Sequence, residues 1–219
     1  MIMGIDFGTC YSSAAIIVDG RLEMVRDPLK PSYSFPSSIY VLEKENILVG
    51  SAAENLRKKD PSRYKREFKR DLRQNIPYQI GGLSLLPEQL IAELLKELKN
   101  EAEKSYGKIN EAVITVPATY DMRKRELMKT VGEEVGFKVN LLEEPIAAAI
   151  YYTNSKQKVE NIKEGEILLV YDLGGGTFDV AIIKKQQEGY ENLTMPLGLE
   201  QCGGIDFDRK IYVDIKQQV

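Results

Sequence analysis

The sequence predicts a layered α/β fold built from two related lobes, and three observations carry that prediction. Runs rich in β-branched and apolar residues alternate with helical patterns along most of the 219 residues. From Pro87 to Gly107, Leu90, Ile91, Leu94, Leu95, Leu98 and Ala102 recur on one 3.6-residue face, which describes a helix with one buried side. Sliding the sequence by 166 positions lays Asp6 on Asp172, Gly8 on Gly174 and Ala15-Ile16-Ile17 on Ala181-Ile182-Ile183 without a gap. Both copies read strand, acid, glycine turn, strand. Such a repeat suggests two lobes facing each other across a cleft, each hairpin presenting one carboxylate and a set of backbone amides.

In chain order, strands are expected at Ile2–Phe7, Ser13–Val18, Leu22–Arg26 and Ser38–Leu42, with Asp19-Gly20 as a hairpin turn. The pattern from Ser51 to Asn75 reads as helical and basic, since Arg57–Arg73 holds nine Lys or Arg against three acids. Pro87 starts the amphipathic helix and Gly107 stops it. A strand at Ala112–Val116 ends at Pro117, and a helix over Arg123–Val135 leads to a strand at Lys138–Leu142. A small-residue helix starts at Pro145, strands follow at Ile167–Asp172 and Phe178–Lys184, and one more helix lies beyond Asp208. The first lobe is expected over residues 1–165, with a reduced outer subdomain at about 38–108, and the second begins within 166–219.

Composition removes several functions. Thirty Lys and Arg against 33 Asp and Glu give a net charge of -3, which argues against a dedicated nucleic-acid binder. There is no histidine, so a Ser-His-Asp triad, a Cys-His pair and imidazole metal ligands are all excluded. Cys10 and Cys202 are too few for a disulfide scaffold and, without a histidine to activate a thiolate, read as small packing residues. No basic leader or apolar run of about 20 residues occurs, so a soluble, cytoplasmic protein with no membrane partner is expected.

The residues left to do chemistry are carboxylates, a lysine and glycine turns. Gly174-Gly175-Gly176 follows a buried-looking strand and lets the backbone approach an anion in φ values that a side chain forbids. Asp6 and Asp172, placed in matching turns, suit a hydrated magnesium ion. No G-x-x-x-x-G-K-[ST] occurs and Gly174-x-Gly176 opens no helix, so P-loop and dinucleotide readings fail. In Glu143-Glu144-Pro145, adjacent side chains on extended backbone point apart, so only one acid can face a shared site. Most cations of the basic segment read as solvated surface.

Together, Gly4-Ile5-Asp6-Phe7-Gly8-Thr9, Ile114-Thr115-Val116-Pro117-Ala118, Glu144-Pro145-Ile146-Ala147-Ala148-Ala149, Asp172 through Val180, and Gly203-Gly204-Ile205-Asp206-Phe207-Asp208 resemble the nucleotide-binding domain of the seventy-kilodalton heat-shock chaperones of the DnaK type. Leu86-Pro87-Glu88-Gln89 is similar to that family too. The resemblance implies the actin-like ATPase, or ribonuclease H-like, fold and ATP hydrolysis coupled to protein folding and the stress response. It implies ATP or ADP, magnesium and potassium as cofactors. Asp6, Glu144, Asp172 and Asp179 would surround the metal and the attacking water; Gly8, Thr9, Cys10, Tyr11, Gly174, Gly175, Gly176, Thr177, Gly203 and Gly204 would hold nucleotide. Lys69, Glu144, Asp172 and Thr177 form the implied catalytic set, and Pro117 and Arg125 match a pair that relays nucleotide state. A J-domain co-chaperone, a nucleotide exchange factor and unfolded clients are the implied partners.

Cys10 stands where the family has a second threonine, and Leu199-Glu200-Gln201-Cys202 departs from the family run. The family's adenosine-binding motif and peptide-binding domain have no counterpart here, so the residues are expected to be a fragment with exposed apolar surface, prone to self-association and binding nucleotide weakly through its phosphates. Two other readings share the superfamily: a bacterial actin-like, shape-determining filament protein, and a sugar kinase.

Overall fold

The computed structural model describes residues 1–43, 46–154 and 162–218; the expected outer subdomain and second lobe therefore each include residues outside the described ones. The chain divides into two units, one of Met1–Ile114 with Asp121–Leu141 and one of Thr115–Tyr120 with Leu142–Val219.

In the first unit, β1 (Ile2–Phe7) buries Met3, Ile5 and Phe7 and exposes the residues between them, the alternation of a strand with one covered face. It pairs antiparallel with β2 (Tyr11–Val18), and the turn at Asp19 and Gly20, both at positive φ, leads into β3 (Arg21–Met24). β4 (Phe35–Pro36) lies on the other half of β2. β5 (Ser38–Glu43), β6 (Asn46–Val49) and β7 (Tyr64–Arg66) make a three-stranded sheet, with α1 (Ser51–Leu56) beside it. β8 (Tyr78–Ile80) and β9 (Leu83–Leu85) form a small hairpin.

α2 (Pro87–Tyr106) buries Leu90, Ile91, Leu94, Leu95, Leu98 and Ala102, the six positions read from the sequence. The Gln89 Oε1 accepts from the Leu86 N–H at 2.8 Å, and Gly107 at φ 77° ends the helix. β10 (Glu111–Val116) runs parallel to β1, α3 (Met122–Glu134) is capped by Asp121, whose Oδ1 accepts from the Lys124 N–H at 2.8 Å, and β11 (Lys138–Glu143) closes the sheet in the order β11-β10-β1-β2-β3.

The long basic helix expected between Ser51 and Asn75 does not form. α1 ends at Leu56, and a turn at Pro61–Arg63, β7 and a turn at Phe68–Asp71 follow. Tyr64, Phe68 and Leu72 recur every fourth residue like a helical face, yet Tyr64 is half-buried in β7, while Phe68 is buried at the start of the Phe68–Asp71 turn and Leu72 just after it. Left-handed backbone at Glu67, Arg73 and Asn75, with φ of 67°, 80° and 50°, is incompatible with a continuous helix.

The second unit contains α4 (Glu144–Asn154), β12 (Ile167–Leu173), β13 (Thr177–Lys185), β14 (Tyr190–Asn192), β15 (Leu197–Glu200) and α5 (Gly204–Gln218). The last helix thus begins before Asp208, where the sequence had placed its start. β13 is central, paired with β12 on one side and with β14 and β15 on the other. Ala149 of α4 packs with Ala181, Ile183, Leu168, Val170 and Tyr190. Ile167, Leu169, Tyr171 and Leu173 on β12 and Ile211, Tyr212 and Ile215 on α5 are exposed, which is the apolar surface expected from the sequence. Among the described residues no helix is long and apolar enough to cross a membrane.

The two hairpins share one register. Asp6 faces Ser13 and Phe7 faces Ser12, while Asp172 faces Asp179 and Leu173 faces Phe178, the same pairing 166 positions on. The correspondence extends outward, since β2 carries β3 on its later half and β4 on its earlier half, as β13 carries β14 and β15.

Candidate functional site

The first glycine turn closes tightly. A Cβ on Gly8 would lie 2.2 Å from the Tyr11 carbonyl oxygen, so the backbone can pass there only without a side chain. Two serines hold this turn. The Gly8 N–H donates to Ser12 Oγ at 3.3 Å, Ser37 Oγ donates to the Gly8 carbonyl at 2.7 Å, and the two hydroxyls are 2.9 Å apart. The Cys10 carbonyl accepts from the Ser37 N–H at 2.8 Å, Thr9 is buried, and Tyr11 is exposed at the start of β2. Neither Cys10 nor Cys202 forms a disulfide.

Lys69 reaches this turn from a distant part of the sequence. Glu67 in left-handed conformation starts the turn that drives Phe68 into the interior, where its ring stacks on that of Phe7 with centroids 6.5 Å apart. The next side chain is then beside β1: Lys69 Nζ donates to the Phe7 carbonyl at 2.5 Å and sits 5.3 Å from the Phe7 ring. The carbonyl is that of the residue between Asp6 and Gly8, so Asp6, the first turn and Lys69 form one local set.

The second turn is built differently. The Gly174 N–H donates to the Thr177 carbonyl at 3.0 Å, closing Gly174–Thr177. None of Gly174, Gly175 and Gly176 has positive φ, contrary to the sequence expectation. What demands a missing side chain is instead the approach of Gly203, whose Cβ would lie 2.5 Å from the Gly175 carbonyl carbon and 2.6 Å from the Gly176 nitrogen. The N–H groups of Gly204 and Ile205 donate to the carbonyls of Gly174 and Gly175 at 3.1 and 3.0 Å, and the carboxylate of Asp206 accepts from the Gly203 N–H at 3.0 Å. The N-terminus of α5 is therefore locked onto the triple-glycine turn.

Glu144, Asp172 and Asp179 line one small pocket with Ala118, Pro145 and Pro196, of about 10 Å³. That is room for about one water molecule. Glu143 is turned elsewhere: its Oε2 accepts from Asn192 Nδ2 at 2.6 Å, so the two adjacent acids divide where β11 ends at Glu143 and α4 begins at Glu144, a strand-to-helix junction rather than the extended backbone expected. Thr119 Oγ1 donates to Asp179 Oδ1 at 3.1 Å. The donors facing the pocket include three carboxylates, which suit a hard cation, and among the described residues no three His, Cys, Asp or Glu gather closely enough to chelate a metal. The set fits an ion that keeps its water shell.

Predicted site residues thus fall into two local sets, Asp6, Gly8–Tyr11 and Lys69 in the first unit, and Glu144, Asp172, Gly174–Thr177, Asp179, Gly203 and Gly204 in the second. Sequence reasoning missed Ser12, Ser37, Thr119, Gly198 and the capping role of Asp206, whose partners are set by the fold.

Residues 2–219 match the family model described as Hsp70 protein. This chain belongs to the Hsp70 family. Among curated relatives of this Hsp70 chain, a chaperone protein DnaK of Endomicrobium trichonymphae and one of Thermoplasma volcanium are 33% identical over 215 residues, covering 96% of this chain and 34% of the relative. A chaperone protein DnaK of Thermotoga petrophila is 35% identical over 213 residues, covering 96% of this chain and 35% of the relative. The chain spans about a third of the length of these relatives. The filament and sugar-kinase readings find no support in these matches, and the mixed α/β architecture agrees with an Hsp70 ATPase region.

Proposed function

We propose that this Hsp70 chain binds ATP through its phosphates and belongs to a chaperone ATPase with an actin-like fold. The reading is carried by the repeated hairpin, in which Asp6 and Asp172 occupy the same register position beside a glycine turn. In it, the turns at Gly8–Tyr11 and Gly174–Thr177, the second packed against Gly203-Gly204, would carry the phosphates, and Glu144, Asp172 and Asp179, which line one pocket, would hold hydrated magnesium through water. Magnesium, when bound, neutralises phosphate charge and draws electrons from the γ-phosphoryl group.

The protein's own groups supply orientation and charge. Lys69 donates one N–H to the Phe7 carbonyl, which anchors the ammonium beside the first turn. Such a cation stabilises the charge that builds on the phosphoryl oxygens. The carboxylates of Glu144, Asp172 and Asp179 would accept hydrogen bonds from water in their pocket and so aim its lone pair, and the Thr177 hydroxyl would add a donor at the second turn. Work on unfolded clients with J-domain and nucleotide-exchange partners, in the cytoplasm and under stress, is the proposal for the whole protein.

Calorimetry tests the reading on the 219-residue chain. Similar, weak, magnesium-dependent binding of ATP and GTP, reduced at least tenfold in Asp172→Asn, is expected, because phosphate contacts do not distinguish bases. Binding that ignores both magnesium and the substitution would overturn it.

A further inference from the structure

Asp179 is held from two sides by residues that no motif marks. Thr119 Oγ1 donates to its Oδ1 at 3.1 Å, and Thr119 sits in a turn closed by the Tyr120 N–H on the Pro117 carbonyl at 3.0 Å. Across the β13–β15 ladder, Asp179 is the direct partner of Gly198. A Cβ on Gly198 would lie 2.5 Å from Asp179 Oδ1 and 2.9 Å from Thr119 Cγ2, so the carboxylate and the threonine both occupy the space that a side chain at residue 198 would fill. Among the described residues, the other carboxylate oxygen of Asp179 takes no protein donor.

We infer that Thr119 and Gly198 are positioning residues for Asp179, fixing one of its oxygens with a hydroxyl and a bare backbone so that the other is kept for the waters of a hydrated cation beside Asp172 and Glu144. The inference rests on the proposed role of Asp179 in holding magnesium through water. Its physical basis is rotational. A carboxylate with one oxygen tied and its ring of neighbours filled loses alternative χ rotamers in advance, so ordering costs less when the ion's water shell arrives. A valine at 119 keeps the shape and removes the donor, whereas a serine keeps the donor.

Manganese(II) in place of magnesium, read by water-proton relaxation with ATP present, tests this on the 219-residue chain. Thr119→Val is expected to weaken apparent manganese affinity about three- to tenfold, as loss of one hydrogen bond does. Thr119→Ser is expected to stay within twofold of wild type, and Gly198→Ala to weaken binding at least as much as Thr119→Val, by displacing the carboxylate. Asp179→Asn sets the floor. Thr119→Val at wild-type affinity with Asp179→Asn impaired would overturn the positioning role alone. Asp179→Asn at wild-type affinity, or a wild-type chain with no relaxation enhancement, would overturn the cation-holding role of Asp179 and the positioning role with it. Circular dichroism checks that each variant folds; were Gly198→Ala to unfold, the valine and serine pair at Thr119, an exposed loop position, still decides.

Discussion

Replacing Gly203 with alanine should loosen the second turn from α5. The new methyl carbon would lie 2.5 Å from the Gly175 carbonyl carbon, 2.6 Å from its oxygen and 2.6 Å from the Gly176 nitrogen, and all three are backbone atoms that no rotamer change can move. Carbon contacts relax near 3.5 Å, so the segments must separate by about 1 Å. That separation strains or breaks the bonds from Gly204 and Ile205 to the Gly174 and Gly175 carbonyls. Overpacking costs about 1–3 kcal/mol and each lost hydrogen bond about 0.5–1.5 kcal/mol; because relaxation trades one cost for the other, a total of about 2–4 kcal/mol is expected. With a urea m-value of about 2 kcal/mol/M, the unfolding midpoint should fall by about 1–2 M. Gly204→Ala is the internal control, because its Cβ meets nothing within 4 Å and its φ is not left-handed. It should be neutral or stabilise by up to about 1 kcal/mol, as alanine does in a helix. Gly203→Ala within about 0.5 kcal/mol of wild type, a shift typical of surface substitutions, would refute the packing of α5 on the triple-glycine turn.

Three further outcomes follow from the same geometry. Leu94→Ala, at a fully buried position of α2, should cost about 3–5 kcal/mol in urea unfolding, and a loss below about 1 kcal/mol would place that face of α2 outside the core. Burial raises the pKa of Glu97, and Glu101 and Glu93 add repulsion, so its charged form costs stability above the folded pKa and nothing below the unfolded one; Glu97→Gln should therefore raise the melting temperature at pH 7 and lose that advantage as the pH falls through the usual carboxylate range. Lys69→Ala in a chain that hydrolyses ATP should bind nucleotide but slow the single-turnover step about 10²–10³-fold, and a rate within about threefold of wild type would make Lys69 a structural tether to Phe7.

The sequence announced what local pattern encodes and concealed what distant segments supply. The α2 face was legible because a helix buries residues at a fixed interval, and the hairpin register because two copies align without a gap. Pattern misled between Ser51 and Asn75, which reads as helical and basic, whereas the left-handed conformation of Glu67, Arg73 and Asn75 breaks any continuous helix there. The acids of the site were legible as residue types in glycine-flanked turns. Their supports were not: Ser37 is 25 residues from Ser12, and Thr119 is 60 from Asp179, and neither carries a local signal.

The two turns show what a repeat preserves. In both, the acid precedes the glycine and faces the same register position of the next strand, so backbone geometry delivers the carboxylate whatever surrounds it. The buttresses differ. Ser12 and Ser37 hydroxyls hold the first turn, with Lys69 on the adjacent carbonyl, whereas the first residues of α5 hold the second by backbone hydrogen bonds. A hydroxyl network is adjustable at little cost because O–H groups rotate, but a helix terminus bound through its own N–H groups moves only as a body. Any displacement of the Gly174 and Gly175 carbonyls would therefore strain the bonds they accept from Gly204 and Ile205, at the start of the 15-residue α5.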